Sequence, residues 1–194
     1  MTKDEIRQAL LESTVDTIAK HGFGGATTKA IASPHGINEA YIYRCFGGKE
    51  KMFAAAFDQL DHELLDAIVT PVSPDATYDS VESLLHAIFE RTWRFVLRNR
   101  ERCLFYVRYY FSPYFLELSH LSHMATYRKL IAEMTPLFRD HADVTSLLHH
   151  VLSSLLDFAV RVYNGDISDS DSTATHVFRV LYSVFHPYLR ETTF

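Results

Sequence analysis

The stretch from Thr27 to Lys49 reads TTKAIASPHGINEAYIYRCFGGK. Thr27 and Asn38 are helix-capping residue types, and each stands before a short segment with helical apolar spacing. The Pro34-His35-Gly36 turn separates the two segments, so the pattern predicts one short helix before the turn and another from Glu39 to Cys45. Two short helices joined by a glycine-containing turn form a helix-turn-helix, whose second helix enters the major groove of DNA.

The residue types on these helices predict how such a unit contacts DNA. Side chains on the outer face of the second helix can reach base edges, and hydroxyl or lysine groups beside it can bind phosphates. The candidates for base edges are Glu39, Ala40, Tyr41 and Arg44, and the candidates for phosphates are Thr28, Tyr43 and Lys49. Spacing alone also fits an ordinary helical hairpin whose tyrosines and arginine are solvated surface residues.

The rest of the chain has helical apolar spacing almost everywhere and no alternating strand of useful length, which predicts an all-α fold of about nine helices. Six of the seven glycines lie within the first 48 residues, whereas 22 of the 26 aromatic residues follow Lys51. These contrasts predict a helix-turn-helix head over residues 1–48, with a first helix ending at Gly22, and a larger helical body over residues 49–194.

Charge and composition limit the class of protein. The net charge is −5, and the segment through Lys51 carries seven Lys or Arg residues against six Asp or Glu residues, which excludes a wholesale nucleic-acid coat protein. The longest stretch without a charged residue is thirteen residues, too short to span a membrane, and the start of the chain lacks the layout of a secretory signal. We therefore expect a cytoplasmic protein with reduced thiols at Cys45 and Cys103.

Two helices of the body predict a homodimer. The eighth and ninth helices are apolar over more surface than one core-facing stripe requires, which indicates a four-helix bundle formed with a second copy. The candidate interface residues are Leu148, Val151, Leu152, Leu155, Val177, Val180, Leu181 and Val184. The alternative is a monomer whose own helices cover both faces.

An aromatic cluster in the body predicts a ligand pocket, since ligand sites are apolar cavities with a few convergent polar groups. The candidate ligand-binding residues are Phe89, Trp93, Tyr106, Tyr109, Tyr110 and Phe111. Plain core packing is the alternative for many of these side chains.

The chain lacks the sequence signatures of common enzymes: no GxSxG, no GxxxxGK[ST] and no GxGxxG is present. The pairs His62 with Asp66 and His120 with His123 have metal-ligand spacing, but each pair supplies too few ligands. The expectation is a protein without enzymatic activity, metal or cofactor.

The residues from Phe23 to Glu50 resemble the DNA-binding head of the TetR family of bacterial transcriptional regulators. The similar segments are FGGATTKAIA at 23–32, GINEAYIYRCF at 36–46, and Lys49-Glu50. The resemblance implies nine helices, a homodimeric repressor, double-stranded operator DNA as partner and a small-molecule effector bound by the body. It also implies DNA contacts at these positions: Thr28, Lys29, Asn38, Glu39, Ala40, Tyr41, Tyr43, Arg44 and Lys49.

Four residues depart from the family pattern. Pro34-His35 stands before the turn glycine where helix-compatible residues are usual, so the second helix is expected to end a turn early. Ala40 stands at a position that is often glycine, and Cys45 at one that is often histidine or tyrosine. These departures leave open an alternative function, a helical dimeric interaction or small-molecule-binding protein that no longer binds DNA.

Overall fold

The structure is a computed structural model that describes residues 1–69 and 78–190. Within these residues the chain forms nine α-helices and no strand. The helices are α1 Lys3–Gly25, α2 Thr28–Ala32, α3 Ala40–Phe46, α4 Lys49–Val69, α5 Val81–Arg98, α6 Arg100–Tyr110, α7 His120–Met134, α8 Val144–Asn164 and α9 Asp171–Phe185. The predicted all-α fold is confirmed.

The ends of α1 follow from local chemistry. Thr2 and Glu5 form a capping box, in which the Glu5 N–H donates to Thr2 Oγ1 at 3.2 Å and the Thr2 N–H donates to the Glu5 carboxylate at 2.8 Å. Gly22 has φ 67° and ψ −176°, so it breaks the helix where the sequence predicted an end. The predicted end is corrected in one respect, because helical structure resumes after Gly22 and continues to Gly25.

Short non-α helical turns punctuate the second half of the chain. A π-helix at Phe115–Ser119 precedes α7, and 3-10 helices at Thr135–Leu137 and His186–Tyr188 follow α7 and α9. Proline stands in the first turn of both 3-10 helices, where its missing N–H is tolerated. Residues 115–137 thus form a π-helix, α7 and a 3-10 helix in succession, and residues 171–188 form α9 followed by a 3-10 helix.

The chain divides into two compact units. Within the described residues, unit 1 comprises residues 1–63 and 100–124, and unit 2 comprises residues 64–69, 78–99 and 125–190. Both α4 and α7 begin in unit 1 and end in unit 2. The predicted boundary between residues 48 and 49, which separates functional parts rather than packing units, stays a prediction.

Unit 1 has an aromatic and aliphatic core between α1, α4 and α6. Leu10, Ile18, Phe53, Phe57 and Phe105 are all fully buried there. The guanidinium of Arg108 on α6 donates to the carbonyl of Ile18 on α1 at 2.7 Å, which joins the two helices across 90 residues of sequence.

Unit 2 is built from α5, α8 and α9, which pack against one another. Its buried residues include Val96, Val177, Leu181 and Phe185. The end of α9 is tied to the α7–α8 connection by the Arg139 N–H, which donates to the Tyr188 carbonyl at 2.8 Å.

None of the helices within residues 1–69 and 78–190 combines the length and the apolar character needed to cross a bilayer.

Candidate nucleic-acid interface

The turn between α2 and α3 has the geometry of a helix-turn-helix. Ser33–His35 form one 3-10 turn with Pro34 in its first turn, and Gly36 follows with φ 62° and ψ 22° in the left-handed region. The Ile37 N–H then donates to the carbonyl of Ala32 at 3.1 Å and closes the turn. The prediction that Pro34-His35 ends the second helix early is confirmed, because α2 stops at Ala32.

Side chains cap both helices as their residue types predicted. The Ala30 N–H donates to Thr27 Oγ1 at 3.0 Å, and the Ala40 N–H donates to Asn38 Oδ1 at 2.9 Å. These bonds satisfy backbone donors at the starts of two short helices, of five and seven residues, whose remaining stability comes from packing.

The inner faces of α2 and α3 fix the angle between the helices. Ile31, Ala32 and Ile42 are buried, together with Ala26 from the preceding loop. Ile37 before α3 and Phe46 at its end are half-buried. The head is therefore held by apolar contacts on one side, and the other side of α3 is left open.

The open face of α3 carries Glu39, Ala40, Tyr43 and Arg44, all of which are exposed. Tyr43 has 62% of its surface exposed, an unusual fraction for so large an aromatic residue. The Arg44 guanidinium lies 5.3 Å from the ring centroid of half-buried Tyr41, which orients the arginine along this face. A helix face with one acceptor, one small residue and two donors has the chemistry of a base-reading surface.

A hydrogen bond joins α2 to the start of α3. Thr28 Oγ1, on the first residue of α2, donates to Oε2 of Glu39, eleven residues later. Both side chains had been predicted to contact DNA, Thr28 at a phosphate and Glu39 at a base edge. The structure brings these two residues together before any DNA is present.

Cations flank the open face. Lys49 starts α4, and its ammonium lies 5.7 Å from the ring centroid of Phe53, whereas Lys29 on α2 is exposed. Arg7 on α1 places its guanidinium 5.1 Å from the ring centroid of Phe46, the last residue of α3. Sequence spacing did not single out Arg7, because 39 residues separate it from the ring that holds it.

Comparison with known proteins identifies this head. Residues 10–56 match the family model described as bacterial regulatory proteins, tetR family. The amino-terminal head is similar to the heads of TetR-family regulators over these residues. The match extends from α1 into α4 and includes every residue predicted to contact DNA, from Thr28 to Lys49, which confirms the resemblance seen in the sequence.

Solved structures of TetR proteins extend the likeness to the whole fold. A TetR-family transcription regulator from Marinobacter aquaeolei VT8 superposes with a TM-score of 0.78 at 18% identity, covering 93% of this chain and 95% of that one. A TetR-like regulator from Rhodococcus sp. RHA1 gives a TM-score of 0.71 at 20% identity, covering 96% and 98%. The fatty acid degradation regulator FadR from Bacillus halodurans gives 0.68 at 19% identity, covering 90% and 93%. No curated protein sequence matches the chain significantly.

The departures from the TetR pattern fall on both sides of α3. Ala40 lies on the open face, where it presents a methyl group in place of the hydrogen of a glycine. Cys45 is half-buried, beside Phe46 at the end of the helix. Gly47 then ends α3 with φ 78°, the left-handed conformation that glycine adopts most readily.

A polar cluster lies in the interior of unit 1. The Asp61 carboxylate is 1% exposed and accepts a hydrogen bond from Tyr106 Oη at 2.8 Å. His123 Nδ1 lies 3.0 Å from both carboxylate oxygens of Asp61. We call Asp61, Tyr106 and His123 the Asp61 cluster. His123 was considered as half of a metal-ligand pair with His120, and the structure instead bonds it to Asp61.

Two further polar pairs surround this cluster. Asp58 accepts a hydrogen bond from Ser122 Oγ at 3.0 Å, and burial raises the pKa of its carboxyl above the usual value. Tyr109 Oη lies 3.0 Å from Ser119 Oγ, and burial raises the pKa of Tyr109 to about 12. Ser119 ends the π-helix, a rare turn that is common at functional sites. Within the described ranges, no group of three or more potential metal ligands occurs.

The predicted ligand-binding residues are distributed over both units. In unit 1, the rings of Tyr106 and Tyr109 stack on Phe57 at centroid distances of 4.8 and 4.7 Å, and Tyr110 contacts Phe115 at 4.4 Å.

In unit 2, Phe89 stacks on Trp93 at 5.9 Å. Phe111 of unit 1 is 75% exposed, and its ring contacts half-buried Tyr110 edge-on at a centroid distance of 5.3 Å. A cleft of about 230 Å³ does exist in unit 1, between α1, α4 and α6, but none of the predicted ligand residues lines it. The assignment of these residues to one effector site stays a prediction.

The predicted dimer residues fall into two groups. Leu155, Val177 and Leu181 are buried in the interior of unit 2, where they serve the core of their own chain. The other five keep accessible surface, up to 37% at Val180. These five are Leu148, Val151, Leu152, Val180 and Val184. Their role in a dimer stays a prediction.

Proposed function

We propose that the protein is a homodimeric DNA-binding transcriptional repressor that a small hydrophobic or aromatic molecule releases from its operator. One observation carries the proposal: a TetR-family head leaves Glu39, Ala40, Tyr43 and Arg44 on the open face of α3. Such a face can enter a major groove while Lys29 and Lys49 approach the flanking phosphates.

A dimer is needed because one head offers too little. The segment through Lys51 has nearly balanced charges, whereas DNA affinity depends largely on cations that neutralise phosphates. Two copies double these contacts and match a palindromic operator whose half-sites lie about 34–36 Å apart. The accessible apolar residues of α8 and α9, with Val180 at their most exposed point, support a two-fold bundle.

The effector is proposed to be apolar or aromatic because the body offers rings with a few hydroxyl groups. Tyr109 and Tyr110 supply two of these hydroxyl groups, and burial raises the pKa of both. Phe89 and Trp93 in unit 2 offer a second aromatic surface. Aromatic faces with polar edges suit a flat apolar molecule.

The proposed link between effector and operator is α4. This helix starts at Lys49 beside the head and continues without interruption to Val69, carrying Asp58 and Asp61 on its way. An effector that binds better to one separation of the two heads draws the population towards it, by no more than its differential affinity for the two states.

The test is a titration of DNA from upstream of the protein's own gene. We expect wild-type protein to retard this duplex at about 50 mM salt and to lose affinity steeply as salt rises. Tyr43→Ala should weaken binding at least about tenfold through the loss of a direct DNA contact. Lys49→Ala should lower the slope of log affinity against log salt by about 2 for a dimer, since each phosphate contact contributes about 0.9.

Matched controls come from unit 2. Lys129→Ala removes an exposed lysine of α7, and Tyr188→Ala removes a partly exposed tyrosine, so neither should change affinity or salt slope. A dimer that retards no duplex at low ionic strength would contradict the proposal. It would favour the helical interaction or small-molecule-binding protein instead.

A further inference from the structure

We infer that Glu39 is a specificity-determining residue that reads one cytosine in each half-site of the operator, with Thr28 as the residue that positions it. The inference rests on the proposed DNA-binding function and adds a base preference to it.

The position of Glu39 is the first argument. It directly precedes α3 and is exposed at the amino-terminal end of the open face. In helix-turn-helix proteins the amino-terminal residues of the recognition helix are those that contact base edges. A carboxylate at this place is unsuited to phosphate binding, because both groups are negative and neither donates a hydrogen bond.

The chemistry of the major groove then selects the base. A carboxylate can only accept hydrogen bonds, so it needs an amino group, which cytosine presents through N4 and adenine through N6. Adenine places its N7 acceptor beside N6, where it faces the negative charge of the carboxylate. Cytosine presents only the amino donor on its own edge, so a carboxylate favours cytosine.

The bond from Thr28 gives Glu39 a fixed direction. Thr28 Oγ1 donates to Oε2 of Glu39 across the two helices, and Oε1 is the oxygen that remains for a base. A free glutamate on a surface samples many rotamers, and holding it before DNA arrives lowers the entropic cost of base recognition. The same bond gives the carboxylate a partner in the DNA-free protein.

The neighbours of Glu39 leave room for a base. Ala40 adds only a methyl group to the open face. Arg44, five residues after Glu39, has its guanidinium over the ring of Tyr41. Within the described residues, the structure shows no ion pair at Glu39.

The experiment is selection of binding sites from a randomised duplex pool, followed by affinity measurement on the selected site with each base pair at every position. Wild-type protein should select one C·G pair at a fixed position of each half-site. The other three base pairs there should bind about 5-fold to 150-fold more weakly. Glu39→Gln should change the preferred base at that position to adenine, because glutamine pairs with N6 and N7 together.

Variants at Thr28 separate positioning from folding. Thr28→Val removes the hydroxyl at nearly constant shape and should leave cytosine preferred but with reduced discrimination. Thr28→Ser keeps a donor and should restore the wild-type discrimination. Glu50→Gln, an exposed carboxylate in the first turn of α4, is the matched control and should change affinity for all four base pairs equally.

One result would overturn the inference while leaving the proposed function intact. If Glu39→Gln changed affinity by the same factor for all four base pairs at every position, the carboxylate would act only through its charge or through its bond to α2. Failure of the proposed function is distinct, since no duplex would then be selected by any variant.

Discussion

The α2–α3 head and the Asp61 cluster are both organised by side-chain hydrogen bonds, but their partners lie at very different distances along the chain. The bond from Thr28 to Glu39 spans eleven residues on the surface, whereas Asp61 bonds to Tyr106 and His123 across 45 and 62 residues in the interior. The surface proposed to recognise DNA is therefore determined by residues close together in sequence. The interior of unit 1 instead depends on contacts that only the complete fold provides.

Among the proposed substitutions, Asp61→Ala has the largest expected effect on stability. The substitution removes the acceptor of two buried hydrogen bonds, so we expect the free energy of unfolding to fall by about 3–5 kcal/mol, measured by urea titration. Tyr106→Phe deletes one of these bonds and should cost about 1–2 kcal/mol, which keeps the prediction measurable if Asp61→Ala fails to fold.

The matched control for Asp61→Ala is Asp16→Ala. Asp16 is an exposed carboxylate on α1 of the same unit, and its removal should stay within about 0.5 kcal/mol of wild type. An Asp61→Ala variant within 1 kcal/mol of wild type would show that the cluster does not stabilise unit 1.

Gly36→Ala tests the head on its own terms. Gly36 has φ 62°, and a Cβ at this residue would meet no atom within 4 Å, so the cost is one of backbone strain alone. We expect the free energy of unfolding to fall by about 1–2 kcal/mol and DNA affinity to fall with it.

Gly24→Ala is the control, because this helical glycine also has open space around it and its φ is not left-handed. It should be neutral or stabilise the protein by up to about 1 kcal/mol. Equal effects of the two substitutions would contradict the assignment of the turn at Gly36.

Asp58→Asn has the smallest expected effect, a change in how Tm depends on pH. Burial raises the pKa of Asp58 in the folded protein, which means that ionising this carboxyl is less favourable in the folded state than in the unfolded state. Wild-type protein therefore loses stability as the pH rises through the raised pKa, and the asparagine variant does not. The difference in Tm, variant minus wild type, should increase between about pH 4 and pH 7 in thermal unfolding.

Asp16→Asn controls for the change of one unit in net charge. A difference in Tm that stays constant over this pH range for Asp58→Asn would contradict the role of burial at Asp58.

The sequence allowed the head to be predicted because its determinants are local. Thr27 and Asn38 cap the helices that follow them, and Pro34 with Gly36 ends one helix and turns the chain. The same locality explains why the residues on the open face could be named. The bond between Thr28 and Glu39 was missed because both residues had been considered only as separate contacts to DNA.

The interior could not be predicted in the same way. Asp61, Tyr106 and His123 stand far apart in sequence, and no spacing rule joins them. Helical apolar spacing also does not tell a core face from an interface, so Leu155 and Val177 were grouped with residues that the structure leaves accessible.

We propose that two copies of α3 bind double-stranded DNA. The most direct measurement is a footprint on genomic fragments retained by the purified protein at low ionic strength. The account predicts enriched fragments that share an inverted repeat, with two protected patches about one helical turn apart, and loss of both patches in Tyr43→Ala. Retention of no fragment, or equal protection by wild type and Tyr43→Ala, would contradict it.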